Sequence, residues 1–253
     1  MSVDVIIITK NSERMLSACL KAVYKNVPLN RLIVVDGYST DKTLDIVKDF
    51  QKTHGKVLVM QDKDTRATAR QKGINQVQTE WFMFVDSDVI LCKDWFKKAK
   101  KHLGRNVGAI WGIEVWSVIR NRAILKVFLW VTRKIFDLRG GTHDTLIRTD
   151  LVRDIKIPSV LHVFEDAYIK DWINKKGYKL IACYDPFCIH YRPASVWTIE
   201  GSLKIIADSI RAGRLTLFVK LSLAYGLYTA YSLYQFLATN INNGRIRSHE
   251  AQC

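Results

Sequence analysis

The groups best suited to chemistry in this chain of 253 residues are carboxylates. Asp86 and Asp88 flank Ser87 directly after an apolar run, residues 81–85 (WFMFV). Two carboxylates two residues apart at a strand end can share a hard divalent cation, Mn²⁺ or Mg²⁺, with a diphosphate. Such ions prefer oxygen ligands and keep sites open for phosphate and water. A lone DxD tripeptide also arises in ordinary surface loops, so its place behind a buried strand carries the weight. Further along, Glu165 and Asp166 follow the largely apolar residues 160–164 and open a helical pattern. Two acids in a first helical turn complement the helix dipole, whatever else they do.

Regular elements must hold these groups in place. Residues 3–9 (VDVIIIT) form a β-branched run of strand length. Leu16, Leu20, Val23 and Tyr24 then recur at helical spacing, with Asn11 and Ser12 placed to cap that helix. Residues 31–36 read as a buried strand ending in Asp36, and 43–50 as a helix. Residues 56–61 are strand-like, 65–76 helical, and 81–86 an apolar strand ending in an acid. Strand and helix alternate three times over short loops, which predicts an α/β fold with a mostly parallel central sheet and helices on both faces. Ligands of such sheets sit beyond the carboxyl ends of the strands. Thr9, Asp36, and Asp86 with Asp88 all stand at strand ends, so they should face one crevice; the alternative is that each acid only caps a helix.

The rest is less regular. Residues 112–136 mix Arg120, Arg122, Lys126, Arg133 and Lys134 with Trp116, Leu125, Phe128, Leu129 and Trp130. Strand-like pieces bracket Gly140-Gly141 and Pro158, a helix is expected from Glu165 to Lys176, and residues 178–183 suggest a last strand. Residues 215–238 carry a single charge, Lys220, while Tyr225, Tyr228, Tyr231, Tyr234 and Gln235 make them amphipathic. That suits a C-terminal helical extension lying in a membrane interface better than a span.

Composition narrows the class. Lys and Arg number 39 against 24 Asp and Glu, a formal charge of +15, which implies an anionic partner. The five cysteines (Cys19, Cys92, Cys183, Cys188, Cys253) form no CxxC pair, against a zinc site or disulfide framework and for idle thiols in a reducing compartment. Residues 3–9 are too short and carry Asp4, so no signal peptide is read and the catalytic part is placed in the cytoplasm.

In order and spacing, Thr9-Lys10-Asn11, residues 34–43 (VVDGYSTDKT), Ala69-Arg70 with Gly73-Ile74, and residues 84–88 (FVDSD) resemble the family 2 glycosyltransferases of the GT-A fold. The likeness is strong over residues 3–90, looser over 91–192 and absent beyond. It implies transfer of one sugar, with inversion, from a UDP- or GDP-linked nucleotide sugar. Thr9 and Asn11 would line the nucleotide pocket and Asp36 would reach base or ribose. Many relatives have a second acid after that position, where this chain has Gly37, which leaves the base open. Arg70 would hold ribose or diphosphate, Asp86 would meet ribose or metal, and Asp88 would be the main ligand of Mn²⁺ or Mg²⁺. The Glu165-Asp166 pair resembles the family's ED pair, with Asp166 as general base and Glu165 as runner-up or orienting group. Gly140, Gly141 and Thr142, with His143 and Asp144, would lie under the sugar. His190 would complete the metal shell or touch the diphosphate, and Arg192 is a further candidate. The Gln-x-x-Arg-Trp signature of processive members is absent, which favours single additions.

The expected layout is a glycosyltransferase domain at 1–202, with a nucleotide-binding half (1–90) and an acceptor half (91–202), and the extension at 203–253. Basic and aromatic stretches suggest peripheral attachment at the cytoplasmic face of a membrane and an acceptor such as a lipid-linked polyprenyl phosphate. Two other classes are alternatives. A nucleotidyltransferase would show a glycine- and arginine-rich phosphate loop after the first strand, and residues 9–13 hold no glycine. A nucleic-acid-binding protein would show a recognised module or a polar basic stripe, and neither is present, so nucleic acid is not an expected partner.

Overall fold

The computed structural model describes residues 1–116, 130, 141–161 and 164–191. Most of the basic and aromatic stretch at 116–136, together with Gly140, Arg192 and the extension at 203–253, lies outside the described residues. The elements below all belong to one compact unit, Met1–Arg192.

The first ninety residues alternate as their sequence predicts. Strands β1 (Val3–Thr9), β2 (Leu29–Asp36), β3 (Val57–Gln61) and β4 (Trp81–Val85) are joined by helices α1 (Glu13–Asn26), α2 (Thr43–His54) and α3 (Arg66–Ile74). Successive strand residues point to opposite faces. Val3, Val5, Ile7, Leu32, Val34, Met83 and Val85 pack with Leu16, Leu20 and Val23 of α1 and Val47 of α2. Ile6, Ile33, Val35, Phe82 and Phe84 pack on the other side with Ala67, Ala69 and Ile74 of α3. Because both faces are covered, these strands read as unbroken apolar runs. Gly73 lets α3 lie close on β1, since a Cβ there would fall 2.6 Å from Cγ2 of Ile6.

Beyond β4 the sheet takes in antiparallel neighbours while staying mostly parallel. Strands β5 (Val89–Leu91), β6 (Val107–Trp116), β7 (Asp144–Arg148) and β8 (Lys179–His190) join the same sheet, with α4 (Trp95–Ala99) and α5 (Glu165–Lys175) beside it. The order is β3-β2-β1-β4-β7-β6-β8-β5. Four of its seven pairings are parallel and three antiparallel. The sheet is therefore mixed, because β7 runs against both β4 and β6. Antiparallel neighbours need no crossover helix, which is why the strand–helix rhythm fades in this half. The expected last strand at 178–183 runs on to His190 as one strand, β8. Its pairing with β6 skips from Cys183 to Phe187, around the cis Asp185–Pro186 bond. Cys19, Cys92, Cys183 and Cys188 are free and buried, as idle thiols should be. Among the described residues, no helix is long and apolar enough to cross a membrane.

Candidate functional site

The loops after β1 and β2 are laced into one wall. Thr9 Oγ1 donates to Asp36 Oδ1 at 2.9 Å, and the backbone N–H and hydroxyl of Ser39 donate to the same carboxylate at 2.8 and 2.6 Å. Asp36 is fully buried, so its carboxylate organises the loop from inside. Asn11 has a left-handed backbone (φ 48°) and accepts from the Thr40 N–H at 2.9 Å. Ser12 occupies the N-cap position of α1 but makes no side-chain cap, contrary to the expectation. Its hydroxyl instead meets the Ser87 hydroxyl at 2.9 Å, tying the first loop to the DxD turn.

That turn joins β4 to β5. On its sheet side, Arg70 of α3 lies 3.2 Å from Asp86 and 3.1 Å from Glu165 at the start of α5. The guanidinium is buried and stacks over the Phe84 ring, 5.0 Å from its centroid. A single cation thus joins the two acidic motifs. Burial alone would push Asp86 up, but Arg70, then His190 and His143, hold it down at about 2. Burial pushes the neighbouring Glu165 carboxyl up, against the pull of Arg70. Arg70 Nη1 is buried and has no hydrogen-bond partner, a donor that a bound anionic group could satisfy. Asp166, half-buried, accepts at 2.7 Å from the N–H of Ala167 in its own helix.

On the far side of the turn lies a buried chain of alternating acids and imidazoles. Asp88 Oδ1 is 2.9 Å from His190 Nε2, and His190 Nδ1 is 3.1 Å from Glu114 Oε1. Glu114 Oε2 lies 3.7 Å from His143 Nε2, and His143 Nδ1 is 2.8 Å from Asp144 Oδ1. Asp144 Oδ2 closes the chain by accepting from Trp95 Nε1 at 2.8 Å. Gly112 makes room there, because a side chain at 112 would collide with the Asp144 carboxylate. Burial opposes a charge on His143, but the hydrogen bond and charge of Asp144, with the charge of Glu114, raise its pKa above the ordinary value. The pairing β5–β8, which sets Val89 opposite His190, brings the histidine to the turn.

The comparisons with known proteins bear on the fold that carries this geometry. The model of the glycosyl transferase family 2 matches residues 4–139, more than half of the chain. The chain belongs to that family. It is 29% identical over 244 residues to the poly(ribitol-phosphate) beta-glucosyltransferase of Bacillus spizizenii, covering 85% of this chain and 38% of that protein. Among solved structures it is similar to a mannosyltransferase of Pyrobaculum calidifontis in complex with GDP-Man and Mn²⁺, with a TM-score of 0.66, 18% identity and coverage of 93% and 73%. It is also similar to S. aureus TarS 1–349 in complex with UDP-GlcNAc, with a TM-score of 0.59, 24% identity and coverage of 76% and 59%. These likenesses establish the GT-A fold. The chain spans 13–38% of the length of the curated relatives it matches.

Within this family 2 chain, the residues singled out by sequence fall into three groups. Arg70 contacts Asp86 and Glu165, Asp88 contacts His190, and the DxD turn itself links the two sets. Thr9, Asn11 and Asp36 build the adjoining wall, and Thr142 lies buried just ahead of β7. Asp144, expected beneath the sugar, is fully buried and engaged by Trp95 and His143, so it serves the core. Glu114 was missed altogether. Its signal was available: a lone acid within the strand-like residues 107–116 is costly to bury unless it is partnered. The donor set at Asp88 and His190 fits a divalent cation. Their facing atoms, 2.9 Å apart, match the roughly 3 Å edge between adjacent ligands at metal–ligand distances of about 2.1 Å. His143, Asp144 and Cys188 also cluster, with one donor atom each within 4.8 Å. Burial and nearby carboxylates push the Cys188 thiol well up.

Proposed function

We propose that this chain is a metal-dependent, inverting glycosyltransferase that moves one sugar from a UDP- or GDP-linked donor to a phosphate-bearing acceptor. The observation that carries this reading is the Arg70 bridge, which holds the DxD turn beside the start of the helix that bears Glu165 and Asp166. Asp88 and His190, with Asp86 beside them, would hold Mn²⁺ or Mg²⁺, whose charge would offset that of the departing diphosphate. Asp166 takes the proton of the acceptor hydroxyl as its oxygen bonds to the anomeric carbon. The bond from that carbon to the diphosphate oxygen breaks, and its electron pair leaves with the nucleotide. Glu165, locked against Arg70 at 3.1 Å, is poorly placed to be the base and instead fixes the start of α5. Arg70 Nη1 supplies a spare donor for the donor's ribose or diphosphate.

The acceptor class rests on charge. The chain carries +15, and Lys93, Lys97, Lys100, Lys101 and Arg105 are exposed around α4. A lipid-linked polyprenyl phosphate at the cytoplasmic face of a membrane and a phosphate polymer such as the poly(ribitol-phosphate) in the relative's name share that chemistry. The test is thermal unfolding with UDP and GDP, each with Mn²⁺ and with EDTA, followed by a panel of nucleotide sugars read out as released nucleotide. Metal-dependent protection by one nucleotide, lost in Asp88→Ala, is expected. No protection by either nucleotide would sink the reading.

A further inference from the structure

A carboxylate such as Glu114, 2% exposed in the middle of a sheet, is costly unless something holds it. Here two imidazoles do so, His190 on one oxygen at 3.1 Å and His143 on the other at 3.7 Å. The two histidines use opposite nitrogens. His143 turns Nε2 to Glu114 because Asp144 takes its Nδ1, whereas His190 turns Nδ1 to Glu114 and Nε2 to Asp88. A neutral imidazole carries one proton, and the nitrogen that keeps it is the one facing the stronger acceptor. A cation held at Asp88 would take that carboxylate out of the competition, so Glu114 then keeps the proton on Nδ1 and the lone pair of His190 is left on Nε2, the atom that faces the DxD turn.

We infer that Glu114 is a positioning residue for the cation site: it fixes the tautomer and ring orientation of His190 so that Nε2 is presented beside Asp88. Register supports the assignment. Glu114 pairs with Cys188 across β6 and β8, and His190 lies two residues further along β8, so Glu114 and His190 share one face of the sheet. His143, itself held by Asp144 and through it by Trp95 at 2.8 Å each, faces the second oxygen of Glu114 at 3.7 Å and thereby favours one orientation of the carboxylate. Outer carboxylates that orient a ligating histidine typically contribute 10- to 100-fold in metal affinity.

This inference rests on the cation site proposed above, and the experiment separates the two. Mn²⁺ alone is titrated into the full chain and followed by the electron paramagnetic resonance of the free ion. The variants are Asp88→Asn, His190→Ala, Glu114→Gln and the double variant Glu114→Gln with His190→Ala. We expect Glu114→Gln to weaken Mn²⁺ binding by about 10- to 100-fold and to add nothing further once His190 is alanine. Equal losses in both backgrounds, or no loss, would overturn the positioning role while leaving the site itself standing. Unchanged affinity in Asp88→Asn and His190→Ala would remove the site. Should Glu114→Gln fail to fold, the wild-type protein still decides. In Mg²⁺-loaded protein, the Nδ1 proton of His190 should be shifted downfield by a hydrogen bond to the Glu114 carboxylate, and an Nδ1 proton with the shift of a solvent-exposed imidazole overturns the inference.

Discussion

At the scale of single residues, the site separates carboxylates by what holds them. Glu165 is gripped by Arg70 and buried, whereas its neighbour Asp166 is half-buried and bonded only to its own helix among the contacts described. Asp166→Asn should therefore keep donor binding and lose transfer by about 10²-fold or more. Measuring donor affinity and single-turnover transfer in Asp166→Asn and Glu165→Gln would settle the roles, and an active Asp166→Asn beside a dead Glu165→Gln would exchange them. A second prediction concerns His143, which faces Asp144, Glu114 and the Cys188 thiol. Its folded pKa lies above the ordinary value. Its charge therefore adds stability that is fully present below about pH 6.5 and is lost as pH rises through the raised value. The melting temperature of metal-free protein should fall over that alkaline stretch, and His143→Gln should flatten the decline. An unchanged profile in the variant would show that His143 does not carry the effect.

Elements place these residues, and the tightest fit among them is α3 on β1. Gly73 lies three residues beyond Arg70, and Gly73→Ala would drive a methyl into Ile6. The expected cost is about 1–3 kcal/mol, read from urea denaturation, with nucleotide binding weakened as well because α3 carries Arg70. Full stability in Gly73→Ala would mean that helix and strand can part without loss. The elements also explain which parts could be read in advance. β1, β2 and β4 are covered on both faces, so their apolar runs stand out and the acids at their ends are conspicuous. β5 is three residues long, β6 is broken by Gly108, Gly112 and Glu114, and β8 carries Asp185-Pro186 in its middle. No periodicity survives such interruptions, although the pairing of β8 with β6 and β5 is what delivers His190. The motif residues were therefore legible, and the acid behind the histidine was not.

For the whole molecule, charge is the dominant feature. Lys97, Lys100 and Lys101 are exposed on and just after α4, and each basic group near an anionic bilayer contributes about 1 kcal/mol. Sedimentation with anionic liposomes should show binding at low salt that weakens at high salt and drops when these three lysines are replaced by glutamate. Binding indifferent to both changes would remove α4 as the contact. The sheet order has a consequence of another kind, for the newborn chain. β5 directly follows the DxD turn, yet its described partner in the sheet is β8, which ends at His190. During synthesis the first four strands can pair while the chain is still emerging, whereas β5 must wait until almost a hundred further residues have been made. Contacts so distant along the chain form late, because their loop-closure entropy is met before they return any stabilisation. A chain halted on the ribosome before β8 should therefore hold its first four strands paired and no Asp88–His190 contact, the two halves of the proposed site maturing at different times.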